Sequence, residues 1–232
     1  MIKNNIKNKI SDIKNLVNNP GSFANHAFRS ISLAGTPFQS SISGSLKSID
    51  KIKVQDLKSH LDYFNNKVKK KIYINGPKSV LNIQNTIKKD CGWDGEASVV
   101  REVTYKAPKR EGGLHLVVVP KANQAQVRAG LFLEKGEYKD FEGLTLLSEI
   151  LGGGFTSILM EEIRVKRGLT YSVNSSASGQ KEYGRSVIST FTKTETIGEL
   201  IKVLRDTLSD ESISKISQEK LDITKNSLKG AY

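Results

Sequence analysis

Apolar positions recur at helical spacing through the first third of the chain, and at mixed helical and alternating spacing after that. Ile2, Ile6, Ile10, Ile13 and Val17 predict an amphipathic helix that ends before Pro20, because the residue preceding a proline is pushed out of helical geometry. Phe23, Ala24, Ala27, Phe28 and Ile31 predict a second helix, and Gly35–Ser45 (GTPFQSSISGS) is a loop by composition. Val54, Leu57, Leu61, Phe64 and Val68 give the clearest helical stripe of this half. A short strand over Lys71–Asn75, closed by Gly76-Pro77, and a short helix carrying Val80, Ile83 and Ile87 complete it.

From Trp93 to Gly113 the apolar periodicity lapses and charged residues dominate, which predicts a linker. Leu114–Val119 (LHLVVV) and Gln126–Leu133 (QVRAGLFL) then predict buried strands, and Asp140–Leu151 a helix with Leu144, Leu147 and Leu151 on one face. Later come a hairpin with its loop at Ser178–Gly184 and second strand at Arg185–Thr192, and a helix starting at Thr196 with core stripe Ile197, Leu200, Ile201, Leu204 and Leu208. Thr196 and Glu199 have capping-box spacing, and a last helix starts near Ser217.

Three structural devices follow one another in Leu147–Ser176. A helix ends at Gly152-Gly153-Gly154, and Thr156 or Ser157 caps a second helix that turns Ile158, Leu159 and Ile163 inward. Glu162 precedes Lys166 in the favourable order for an exposed ion pair, and Gly168 suits a left-handed helix stop. The alternation that follows predicts a strand with Leu169, Tyr171 and Val173 on one face and Thr170, Ser172 and Asn174 on the other. Arg164 on a helix end and Tyr171 on the next strand are thereby placed near each other on rigid elements.

The 232 residues suffice for one large or two small domains, and 37% hydrophobic and 7% aromatic content suits a globular chain. There is no apolar run of about eighteen residues, so no membrane span is expected. The N-terminus lacks the apolar block of a secretory signal, which leaves a cytoplasmic location, or a periplasmic one if a signal lies outside this sequence. The single cysteine, Cys91, excludes an internal disulfide and a cysteine-based zinc site, and reads as a buried thiol. Net charge +12 admits an acidic partner or nucleic acid, yet the lysines are scattered, with Lys69-Lys70-Lys71 the one compact run, so the charge reads as solvated surface.

The three histidines, His26, His60 and His115, lie far apart in sequence, and no serine or cysteine has a nucleophile-elbow setting. The glycine run lacks the lysine and hydroxyl residue of a phosphate loop and follows a helix rather than a strand, so it reads as a helix-to-helix turn.

The runs LGGGFTSILMEEIR and KRGLTYSV resemble the C-terminal half of the pitrilysin and mitochondrial-processing-peptidase family of zinc metallopeptidases. NQAQVRAGLFL is similar to the strand that opens the family's second domain, and NNPGSFANHAF, GTPFQSSISGS, IDKIKVQDLKSHL and KIYINGP to the later part of its first. The resemblance implies an α+β fold: a metallopeptidase-type α/β sandwich, mostly antiparallel sheet with helices on one face, in two similar domains, each incomplete. Residues 1–92 would be the later part of the N-terminal domain, 93–113 the linker, and 114–232 the C-terminal domain without its end. Missing portions would come from the rest of a longer polypeptide or a partner chain.

A peptidase of this family needs two histidines one helical turn apart, with a glutamate beside the second, to bind zinc and activate water. This chain has no such motif, although the family's third ligand would fall near Asp12. Zinc is therefore expected in a complementary domain or subunit, with no metal or cofactor in this chain. Arg164 and Tyr171 match the family's arginine–tyrosine pair, which holds the scissile region of a peptide, and Gly152, Gly153, Gly154 and Phe155 border the peptide channel. The resemblance thus implies the non-zinc portion of a peptidase; the alternative is a catalytically inactive peptide-binding or scaffold subunit. Nucleic-acid binding rests on composition alone.

Overall fold

In a computed structural model, residues 2–68, 73–77, 83, 86, 89, 105, 112–134, 140–180 and 182–230 are described. The chain divides into two compact units, one of residues 1–13 with 42–104, the other of 14–41 with 105–232.

In the first unit, α1 (Ile2–Asn15) and α4 (Val54–Lys67) are the helices expected from their stripes, and between them lies α3 (Leu46–Ile49). Ser45 caps α3 by accepting from the Ser48 amide at 3.2 Å, and Ile49 is buried. On the apolar stripe of α4, Val54, Leu57 and Leu61 are exposed. Of the expected strand Lys71–Asn75, residues 73–75 are not in a strand, and 71–72 lie outside the described residues. The lysine run, Val80, Ile87, Cys91, Trp93 and most of the expected linker lie outside the described residues.

The second unit is built on an antiparallel sheet. Strand β1 (Gln124–Glu134) pairs with β3 (Tyr183–Lys193), which pairs with β2 (Val173–Gly179), giving the order β1-β3-β2. Gly130 faces Val187 across the ladder, where an added Cβ would lie 2.1 Å from the Ser186 carbonyl oxygen, so this crossing admits only glycine. Helix α2 (Pro20–Ser32) starts on Asn19, whose side chain accepts from the Ser22 amide at 3.0 Å. It is tied to β1 by Arg128, which donates from Nε to Asn25 Oδ1 at 2.6 Å and from Nη2 to the Gly21 carbonyl at 3.2 Å. The loop after α2 brings Phe38 onto Tyr183 and Tyr105, ring centroids 4.8 and 5.2 Å away.

Helices α5 (Phe141–Gly152), α6 (Ile197–Thr207), α7 (Asp210–Ser214) and α8 (Gln218–Gly230) complete the unit. Its core joins Leu151, Leu159, Ile163, Leu169, Val173, Ile188, Leu200, Val203 and Leu204. Leu159, Ile163 and Leu200 are wholly buried. Each side chain of this size removed from water contributes about 1.5–3 kcal/mol before entropy is counted. The fold is α+β with an antiparallel sheet, as expected.

Several local expectations need correction. Leu114–Val119 is not a buried strand: Leu114 and Leu116 are 80% and 84% exposed and no ladder among the described residues holds the segment, because an apolar run makes a strand only where a neighbour pairs with it. Gln126–Leu133 is paired within β1, but its residues are half-buried or exposed rather than buried. Thr196 does not cap α6. Its hydroxyl instead donates to the Lys193 carbonyl at 3.2 Å and lies 2.6 Å from that of Thr192. A further correction concerns Tyr171, below.

Candidate functional site

The site grows from the end of α5. Gly152 is buried where β2 comes closest, and a Cβ on it would lie 2.3 Å from the Ser175 amide nitrogen. The Asn174 side chain donates to the Gly152 carbonyl at 3.4 Å, and the Gly153 amide to Glu149 at 2.8 Å, which ends the helix. Gly153, Gly154 and Phe155 then stand exposed, Phe155 at 77%. The turn closes with the Ser157 amide donating to the Gly154 carbonyl at 3.1 Å, and Lys220 of α8 donates to the Thr156 carbonyl. No side-chain cap forms at the next helix: the Ser157 hydroxyl is buried without a partner.

That next helix is wound wider than an α-helix. Met160–Val165 is a π-helical turn, with the Lys166 amide donating five residues back to Glu161 at 3.0 Å. Such turns are rare and gather at functional sites. This one carries Arg164, whose guanidinium carbon stands 5.3 Å from the centre of the Phe155 ring, a cation–π contact. Glu162 bonds Lys166 at 2.6 Å and Arg167 at 2.7 Å, and these two cations hold its carboxyl below the usual glutamate range. The charge of Glu162 is thus taken up by its neighbours. Among the described residues Arg164 forms no ion pair, which leaves its guanidinium able to donate to an incoming oxygen.

Gly168 ends the helix with φ +64°, and its amide donates to the Arg164 carbonyl at 2.9 Å, so a hydrogen-bonded turn leads from Arg164 towards Tyr171. Tyr171 does not share a face with Leu169 and Val173. Those two are buried, Thr170 between them is 5% exposed, Tyr171 is 80% exposed, and β2 begins only at Val173. The alternation fails because Thr170 bonds the local backbone, accepting from the Ser172 amide at 3.2 Å, which competes with a sheet ladder. The Tyr171 hydroxyl makes no hydrogen bond among the described residues.

Phe155 and Arg164 are thus in contact, Gly152 serves the packing of α5 on β2, and Tyr171 projects from the segment just beyond. Lys220, Asn174 and the threonines of β3 complete the surroundings. They are distant in sequence and no local pattern marks them. His60 and His115 are exposed, Asp12 pairs with Lys9 at 3.7 Å, and among the described residues no three His, Cys, Asp or Glu side chains gather to hold a metal. No helix among them is long and apolar enough to cross a membrane.

The profile of the peptidase M16 inactive domain matches residues 52–228. A protein of Helicobacter pylori called non-peptidase homolog YmxG is 28% identical over 207 residues, 85% of this chain and 46% of its own length. An uncharacterized zinc protease YmxG of Bacillus subtilis is 29% identical over 99 residues, 43% of this chain and 24% of its own. A crystal structure of a peptidase M16 inactive domain from Pseudomonas fluorescens superposes with TM-score 0.72 at 20% identity, over 99% of this chain and 56% of that one, which supports the fold. The chain therefore spans about half the length of the H. pylori and P. fluorescens proteins. With its profile match running through both the helical α4 and the glycine–arginine–tyrosine stretch, the chain belongs to the peptidase M16 inactive-domain family.

Proposed function

We propose that this chain is the non-zinc portion of an M16 metallopeptidase, binding peptide and supporting its hydrolysis at a zinc site held by a complementary domain or subunit. The observation that carries the reading is Arg164, without an ion pair among the described residues, braced on exposed Phe155, with the exposed phenol of Tyr171 following on a hydrogen-bonded turn. Both groups are donors only towards a carbonyl oxygen, and both stand at the surface of a rigid core. Tyr171 would donate its hydroxyl and Arg164 its guanidinium to the scissile-region carbonyl as negative charge builds on that oxygen. Gly153, Gly154 and Phe155 would line the approach of the peptide. Zinc in the complementary half would supply the activation of the attacking water. In this reading residues 1–92 and 114–232 belong to two similar domains whose missing parts are supplied elsewhere.

The test is hydrolysis of an unstructured peptide by the chain assembled with its zinc-bearing complement. Arg164→Ala and Tyr171→Phe are each expected to reduce kcat/KM by about a hundredfold or more, the cost of losing one such donor, with assembly intact. Turnover unchanged in both variants would exclude the assignment. A second reading, a catalytically inert peptide-binding or scaffold subunit, is favoured by the H. pylori relative called a non-peptidase homolog. It requires peptide binding or assembly with no hydrolysis in any combination.

A further inference from the structure

We infer that Thr190 and Thr192 of β3 are positioning residues for Tyr171, Thr190 acting through Thr170 and the Ser172 carbonyl and Thr192 through the Leu169 carbonyl. An exposed tyrosine on an irregular segment would ordinarily be free to swing, since neither a ladder nor a helix fixes its backbone. Here its flanks are tied to buried hydroxyls instead. Thr192 donates to the Leu169 carbonyl at 2.6 Å, on one side of Tyr171. On the other side, the hydroxyls of Thr170 and Thr190 converge on the Ser172 carbonyl at 3.0 and 2.9 Å, and lie 3.2 Å from each other. The Ser172 amide closes the ring by donating to Thr170 Oγ1.

Thr170, Thr190 and Thr192 are each no more than 5% exposed, so water does not compete for these bonds. Placing three hydroxyls in a strand and its neighbour costs desolvation that valine would avoid. Buried polar groups that are fully satisfied specify one geometry, and the geometry specified here is that of the backbone on both sides of Tyr171. For the use made of Tyr171 we rest on the peptidase reading above; its placement does not depend on that reading.

The test measures amide hydrogen exchange at Ser172 in the 232-residue chain, with Leu200 in the buried core as internal reference. Thr190→Val removes the hydroxyl with little change in volume, and Thr190→Ser keeps the hydroxyl while losing the methyl. Thr190→Val is expected to speed exchange at Ser172 about fivefold, the worth of one net hydrogen bond, with Leu200 unchanged and Thr190→Ser restoring the original rate. In the assembled peptidase the same valine variant is expected to lower kcat at unchanged KM. Unchanged exchange at Ser172, or an equal rise at Ser172 and Leu200, overturns the positioning role and leaves the threonines as ordinary core. The expected exchange pattern with no hydrolysis in any assembly sustains the positioning of Tyr171 and sinks the peptidase reading instead.

Discussion

Gly152 and Gly154 stand two residues apart and answer different physical demands. An alanine Cβ at Gly152 would meet the Ser175 backbone at 2.3 Å, whereas one at Gly154 would meet no atom within 4 Å, and neither residue has a positive φ. Gly152→Ala must therefore push α5 away from β2. We expect a loss of about 1–3 kcal/mol, the usual range for overpacking, read as a fall of several degrees in Tm. Gly154→Ala should leave Tm unchanged, so any effect of it on peptide binding would report contact with the peptide. A large Tm loss at Gly154 and none at Gly152 would contradict this division. Glu162 makes a separate case at the same scale. Its carboxyl is held below the usual range in the folded state by Lys166 and Arg167, so its stabilisation is present above the unfolded glutamate value and is lost as the pH falls through the lowered one. Because the pairs are partly solvated, Glu162→Gln should cost only about 0.5–1 kcal/mol at neutral pH. Thermal scans of the two proteins should converge once the pH is low enough to protonate Glu162; a gap that persists there would mean that packing, not charge, is responsible.

At the scale of elements, what could be read from the sequence was whatever local periodicity controls. The stripes of α1, α2, α4, α5 and α6 lie where 3.6-residue spacing puts them, and Gly168 ends its helix with the left-handed geometry expected of it. What could not be read depends on groups far away in the chain. Leu169, Tyr171 and Val173 alternate like a strand, but Thr170 finds partners on β3 and turns the backbone, leaving Tyr171 exposed. The π-helical winding that carries Arg164 has no composition of its own, and MEEIRV would suit an ordinary α-helix equally well. Arg128 gave no signal as the tie between β1 and α2, since Asn25 lies 103 residues from it. Leu114–Val119 shows the converse: its residues favour a strand, and the pairing that would make one is not supplied among the described residues. The candidate residues were legible as types and spacing. Their contacts, Arg164 on Phe155 and Lys220 on the glycine turn, belong to the tertiary fold.

For the whole molecule the decisive feature is apolar surface left in regular register. Val54, Leu57 and Leu61 lie on one face of α4 and are 50%, 43% and 59% exposed, a pattern that costs solubility unless something covers it. The H. pylori and P. fluorescens proteins that this chain matches are about twice its length, and in the proposed assembly a complementary domain would supply the covering surface. Leu61→Glu places a carboxylate in the middle of that face. Since Leu61 is already largely in water, the chain alone should keep its Tm, while its affinity for the proposed complementary domain should fall at least about thirtyfold, the loss of one central apolar contact of roughly 2 kcal/mol. Lys58→Glu makes a larger change of charge on the neighbouring position of α4, off the stripe, and should leave affinity nearly unchanged. Equal losses in the two variants would point to long-range electrostatics of a chain with net charge +12, and would disappear at high salt. A loss confined to Leu61→Glu and insensitive to salt would locate the proposed partner on α4, whereas no loss in either variant would place it elsewhere on the chain.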